Sequence, residues 1–456
     1  MSYESLKNDS DIRWSELNSG NIPWIRVSDA MCCGSSLGSE EIVQAIKAFS
    51  KKHNISMNID TVGCHGICYA GTIIDVLLKD KPRIFWGYVT KENVDEIIDS
   101  YINKNKIIKK NLLGSLGDQI IKGVPRFSDL PGIQYQNRIA LRNSGNIAFN
   151  DIHQYIANGG FLGLNKALSS MSSEEVINEV KNSGLRGRGG AAFPTGVKWS
   201  FMANSKGKKY ILCNCEEGDP GAFNDKGILE SDPFTLIEGM IIAGFATNST
   251  NGYVFIRHGH EGPIIRTEEA IKQAYENGLL GENILGSDFS FHIEVSLTGD
   301  SYVAGEETAL MESIEGKSSR PRSRPPFPAA YGVWGKPSTI NNVKSLSYVA
   351  EIIRNGSDWF KSTGTESSSG TAIVCLSGDI SNPGMYEVEM GLSIGDVIEK
   401  LGGGIPNGRK LKMLQTGGPL GGVLGSDSLK VKIDFDEMAK AGAILGSGGI
   451  IVVDDR

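Results

Sequence analysis

Long apolar runs are missing from this 456-residue chain. The most apolar window, Leu236 to Phe245, is broken by Glu238. It falls far short of the roughly 20 apolar residues that a membrane-spanning helix needs. The opening residues, MSYESLKNDSD, are polar and acidic, with no apolar segment of the kind a secretory signal requires. No long lysine/arginine run occurs, and the formal net charge is −7 at pH 7. Nucleic acid is therefore not expected as a main partner. Cysteine is scarce and odd in number, with seven residues, which together with the missing signal argues against a disulfide framework. The expectation is a cytoplasmic protein with no membrane span of its own, at most peripheral on a larger complex.

Glycine, by contrast, is abundant: 57 residues against an average usage of roughly 7%. The excess has no collagen period and gathers in short loops, where a backbone without side chains can approach a ligand. Four of the seven cysteines, Cys32, Cys33, Cys64 and Cys68, fall within one short segment.

Along the chain, the patterns predict a multi-domain α/β protein. SEEIVQAIKAFSKKH (39–53) reads as a helix with Ser39 as its N-cap. ISMNIDTVG, TIIDVLL and RIFWGYV read as strands, and KENVDEIIDSYI as a closing helix. Residues 1–105 thus resemble a small thioredoxin-like domain. Residues 106–130 suit a linker. From 131 to 365, helices and strands alternate, which predicts a layered α/β core. In it, SSEEVINEVKNSG reads as a capped helix, KYILCNC, GYVFIR and FHIEVSL as strands, and RPRSRPPFPAAYGVWGKP (320–337) as extended or looped chain. Residues 366–456 hold short strands and Gly turns and look like a β-grasp-like module.

GLRGRGGAAFPTGVKW (184–199) concentrates the chemistry. Its glycines leave no Cβ in the way, a helix is expected from Thr195, and Arg186, Arg188 and Lys198 add positive charge. Phe193 and Trp199 offer flat faces. A phosphate cradle and a plain glycine hinge both account for this stretch alone. Two acidic Gly turns follow, NCEEGDPG with Asn214, Glu216, Glu217 and Asp219, and GDSYVAGEETAL with Tyr302, Glu306 and Glu307. Each is adequately explained by itself as a helix cap with first-turn acids. Cys213, Cys215 and Cys375 read as buried thiols. His258 and His260 in FIRHGHEG lack a third metal ligand in view.

Taken in order and spacing, GRGGAAFPTGVKW, CNCEEGDPG, YVAGEETAL and PPFPAAYGVWGKPSTINNV resemble the NADH-binding flavoprotein subunit of respiratory complex I. The same subunit type occurs in NAD-linked hydrogenases, formate dehydrogenases and electron-bifurcating complexes. The resemblance covers roughly residues 130–455. It implies a central FMN- and NADH-binding domain that is not a Rossmann fold, followed by an SLBB-type β-grasp domain. It further implies that Gly187, Arg188, Gly189, Gly190 and Lys198 line FMN and its phosphate. Asn214, Glu216, Tyr302, Gly305, Asn341 and Asn342 would contact the flavin. Phe193, Phe201 and Phe327 would stack on the NADH adenine, with Asp219 and Glu307 on its polar groups, and Glu306 would belong to the same cofactor site. The implied chemistry is hydride transfer between NAD(H) and FMN, with electrons passed on to iron–sulfur partner subunits. No side chain is needed as an acid or base, Glu307 serving to orient, and Glu307 would favour NAD over NADP. The competing classes are a non-catalytic scaffold paralogue and a stand-alone diaphorase.

Two departures stand out. Members of the family continue into a helical domain whose cysteines bind a [4Fe–4S] cluster, and this sequence reaches Arg456 without them. At the other end, Cys64 and Cys68 in GCHGIC match the second cysteine pair of an iron–sulfur thioredoxin-like domain, whereas adjacent Cys32 and Cys33 stand for the first. A [2Fe–2S] site and a degenerate docking domain both remain open for that segment.

Overall fold

The computed structural model describes residues 2–30, 35–298 and 301–456. Among these the strands form three sheets. Strands β1 (Trp24–Ser28), β2 (Asn58–Val62), β3 (Ile74–Leu77), β4 (Arg83–Trp86) and β5 (Leu112–Leu116) make the first, in the order β2-β1-β3-β4-β5. β1 is parallel to β2 and antiparallel to β3. The helix Ser39–His53 makes the crossover, burying Ile42, Ile46 and Phe49, one stripe at helical spacing. This is the thioredoxin-like order. Ser39 is not the N-cap: Gly38, at φ 83°, takes that position, and the Ser39 hydroxyl donates to Asp29 at 2.7 Å.

Two local differences from the sequence reading follow from long-range packing. β5 lies within the expected linker and pairs antiparallel with β4. The chain then doubles back so that Phe127 stacks on Phe85, ring centroids 4.0 Å apart. The polar N-terminus forms a helix, Tyr3–Asn18, capped by Ser2. Its Tyr3 and Leu6 belong to the core of the central unit, and the Tyr3 hydroxyl donates to the Gly160 carbonyl at 3.0 Å.

The second sheet holds β6 (Tyr210–Cys215), β7 (Asn251–Arg257), β8 (His292–Thr298) and β9 (Ser338–Asn342). All are parallel, in the order β8-β7-β6-β9. Alternate residues of β6 face opposite layers. Ile211, Cys213 and Cys215 join the main core with the helix Pro233–Thr247, whereas Tyr210 and Leu212 pack with Phe255, Leu310 and Ile340 on the other face. Burial pushes the Cys213 and Cys215 thiols far up, as it does Cys375, which suits packing groups rather than reactive ones.

The third sheet joins β10 (Thr371–Gly378), β11 (Gly384–Glu389), β12 (Leu411–Thr416), β13 (Val423–Gly425) and β14 (Gly449–Asp454), in the order β11-β10-β14-β12-β13. β10 and β14 are parallel and the other pairs antiparallel, which is the β-grasp arrangement. Buried Glu387 of β11 accepts the backbone N–H groups of Ile139, Ala140 and Leu141 at 3.0, 3.1 and 2.8 Å. That carboxylate fastens the third sheet to the chain entering the central unit. No helix among the described residues is long and apolar enough to cross a membrane.

Candidate flavin and nucleotide site

The turns that follow β6, β8 and β9 gather at the carboxyl edge of the parallel sheet, where open α/β sheets bind ligands. The glycine loop completes the group. A short bridge between Arg186 and Pro194 closes it, with Gly187 N–H donating to Phe193 O at 2.8 Å and Thr195 N–H to Leu185 O at 2.9 Å. Gly190 has φ +134°, and a Cβ there would meet nothing within 4 Å. At Gly189 a Cβ would come within 2.9 Å of the Asn342 Cβ. Among the described residues, no protein acceptor takes the amides of Gly189, Gly190 and Ala191. The helix Thr195–Ala203 starts directly behind, with no side-chain cap. Unspent amides over open space are what an anion needs.

Lys198 lies on that helix. Its Nζ donates to Ile340 O at 2.6 Å and to Glu307 Oε2 at 3.1 Å. Glu307 also receives Arg324 at 2.7 Å, so two cations offset its charge. Glu306 takes the helix-cap reading of its turn: its carboxylate caps the helix Glu307–Ile314, accepting Thr308 N–H at 2.9 Å and Ala309 N–H at 3.0 Å.

The acidic turn 216–219 meets the Tyr302–Gly305 turn. Asn214 Nδ2 donates to Gly305 O at 2.9 Å, and a Cβ on Gly305 would lie 2.8 Å from the Glu216 carboxylate. The Tyr302 hydroxyl donates to Asp219 at 2.7 Å, and that bond pushes its pKa up to about 12. Burial raises Glu216 to about 7, against the opposing pull of Arg257 at 3.3 Å. Phe193, Phe201 and Phe327 are all exposed, the first two with ring centroids 6.3 Å apart. Exposed aromatic faces beside a polar cleft suit a planar ligand.

Asn341 and Asn342 are engaged with protein. Asn341 Oδ1 accepts the Trp199 indole N–H at 3.0 Å. Asn342 caps the helix Val343–Ser347 and donates to Asp225. Below them lies a buried network that the sequence reading missed. Lys344 Nζ donates to Asn224 Oδ1 at 2.7 Å and Asp225 Oδ1 at 2.8 Å. Glu217 accepts the Asp225 and Lys226 amides at 2.8 and 2.9 Å. Burial would lower Lys344, but Asp225 and Glu217 raise it; burial and Asp225 raise Glu217. A lysine two residues beyond the paired asparagines was the available signal.

One expected contact is corrected outright. The Arg188 guanidinium does not face the loop's open side. It is buried, donating to Ser369 O at 2.8 Å, Arg186 O at 2.7 Å and Thr371 O at 3.2 Å. Only the backbone of Arg188 remains part of the loop.

Of the N-terminal cysteines, Cys32 and Cys33 lie outside the described residues. Cys64 is buried and Cys68 half-buried on one loop. Half-buried Arg138 lies within electrostatic reach of Cys64. Among the described residues, no group of three or more His, Cys, Asp or Glu side chains is placed to hold a metal ion.

Fold and site together define a multi-domain α/β protein with a glycine-loop cleft at the carboxyl edge of its parallel sheet. A model of the Nuo51 FMN-binding domain matches residues 180–351, and one of the SLBB domain matches residues 373–424. The chain is 48% identical over 321 residues to the HndC subunit of an NADP-reducing hydrogenase of Solidesulfovibrio fructosivorans, covering 70% of this chain and 65% of that one. It is 46% identical over 302 residues to an NADH-quinone oxidoreductase subunit of Rhizobium meliloti, covering 66% of this chain and 72% of that one. It thus spans about two thirds of the length of these relatives. The crystal structure of an NAD+-reducing [NiFe]-hydrogenase in the H2-reduced state shares the fold, with TM-score 0.61 and 23% identity over 99% of this chain and 74% of that one. The chain belongs to the Nuo51-type family of FMN-binding NADH-quinone oxidoreductase subunits.

Proposed function

We propose that this chain is the NADH-oxidising or NAD-reducing flavoprotein subunit of a multi-subunit cytoplasmic oxidoreductase. The observation that carries the reading is the glycine loop, whose unspent amides and open Gly190 face the cleft beside Lys198. FMN, when bound, would supply hydride exchange between its N5 and nicotinamide C4, and one-electron transfer to iron–sulfur partners.

The chain's own part is to bind, orient and shield. The loop amides from Gly189 to Ala191 and the bare N-terminus of the helix Thr195–Ala203 would hold the phosphate, with Lys198 adding its charge. Gly305 leaves the space beside Glu216 that a side chain would fill. The Tyr302–Asp219 bond closes one side of the cleft. Phe193, Phe201 and Phe327 offer faces for adenine, and Glu307 would orient ribose hydroxyls. With Lys198 and Arg324 on that carboxylate, its repulsion of a 2′-phosphate is weaker than a lone glutamate's. Reduction of the bound flavin by NADH and NADPH in parallel measures this selectivity. Cys64 and Cys68 would supply one half of a [2Fe–2S] ligand set with Cys32 and Cys33, and an iron assay with the visible spectrum tests it.

The deciding experiment is simple. The purified chain, incubated with FMN and desalted, should stay yellow, and NADH should bleach it without oxygen. A protein that retains no FMN would overturn the reading in favour of a scaffold. Dye reduction by the isolated chain would add a diaphorase activity.

A further inference from the structure

Arg186 and Arg188 stand in the middle of the glycine loop, yet both side chains leave it on the side away from the cleft. Both reach the C-terminal β-grasp module. Arg188, buried, satisfies the carbonyls of Ser369 and Thr371 at the start of β10, and its guanidinium carbon lies 5.2 Å from the Phe435 ring centroid. Arg186 sits over the same ring at 4.8 Å and pairs with Asp436 at 3.0 Å. Its Nε returns to the loop, donating to Ala192 O at 3.0 Å. On the backbone side, Arg188 N–H is fixed by the Ser345 hydroxyl at 2.8 Å. Both loop arginines therefore lie over one aromatic ring of another module.

A glycine-rich loop has many backbone states, and a free one loses much entropy on ordering around an anion. A planar guanidinium with several fixed acceptors removes that freedom in advance. We propose that Arg186 and Arg188 are positioning residues through which the C-terminal β-grasp module holds the glycine loop in its anion-binding shape. The ligand's affinity is thus set by contacts on the far face of the loop. The inference rests on reading this loop as the flavin phosphate site. Its chemical consequence is specific: the arginines act on recognition of the phosphate, not of the ring system.

The test compares FMN with riboflavin, which lacks the phosphate, by titration of flavin fluorescence on the full chain. Wild type, Arg188→Met, Arg188→Lys and Arg186→Met are measured, with hydrogen exchange of the two bonded loop amides, Gly187 and Thr195, recorded in each without ligand. In Arg188→Met the preference for FMN over riboflavin should collapse at least tenfold, and these two amides should exchange at least tenfold faster. Arg188→Lys, which can reach one of the carbonyls, should fall between. Arg186→Met should show the same pattern more weakly. A parallel loss of both flavins would mark a merely structural role and overturn the proposal, as would an unchanged preference. If the Arg188→Met chain does not fold, Arg186→Met and Arg188→Lys decide by the same ratio. If wild type binds neither flavin, the cofactor reading falls, and loop exchange alone decides: unchanged exchange in the variants would sink the positioning role too.

Discussion

Glu216 shows how one residue's surroundings create a measurable pH effect. Burial holds it at about 7 in the folded chain, whereas an exposed glutamate sits near 4.3. A raised carboxyl favours folding while protonated, so its contribution is complete below about pH 4.3 and is lost as pH rises to about 7. Glu216→Gln should therefore raise Tm at pH 8 and leave it nearly unchanged at pH 4, as thermal melts at the two values will show. Cys213 illustrates the opposite case, a thiol that only packs. Cys213→Ser buries a hydroxyl without a prepared partner and should cost about 1–3 kcal/mol in denaturant unfolding, with NADH oxidation per folded molecule unchanged. The thiols and the exposed phenylalanines were readable as such, because a strand's alternation and an aromatic's chemistry are local. Lys344 was not: its importance comes from Asp225, more than a hundred positions away.

Elements carry their own signals more faithfully. Ser172 and Glu175 form the capping box expected of SSEEV at the start of the helix Ser173–Asn182. Ser172→Ala should cost about 1 kcal/mol in unfolding free energy. The next helix, Thr195–Ala203, crosses it closely. A Cβ on Gly196 would lie 2.5 Å from the Lys181 backbone nitrogen, so Gly196→Ala should cost about 1–3 kcal/mol. It should also weaken FMN binding, since the same helix carries Lys198, and calorimetry with flavin titration checks both. The misassigned elements share one cause. β5 and the helix Tyr3–Asn18 have little local pattern and owe their order to surfaces supplied by distant chain.

At the scale of the whole molecule, acidic groups pull in two directions. Burial raises Glu217 and holds Asp232 at about 6, adding to Glu216. All three lose their contribution as pH rises towards 7. Asp434 runs the other way: burial opposes it, but bonds from Thr365, Ser367 and the Glu437 amide hold it at about 2. Its stabilisation is present above about pH 4 and lost as pH falls through 2. Tm should thus peak at about pH 4, and scanning calorimetry from pH 2 to 8 should find melting lower at both ends.

The sequence by itself determined the α/β class, most helix and strand types, and the residues that meet at the sheet's carboxyl edge. Periodicity, caps and glycine punctuation act over a few residues, and the four linked motifs carried the family. Tertiary structure alone decided which way each side chain faces. The same arginine in a glycine loop serves equally well at a phosphate or at a neighbouring module's carbonyls. Only the packing of the β-grasp sheet against the loop turned Arg188 away from the cleft, because a buried guanidinium must go where its acceptors are.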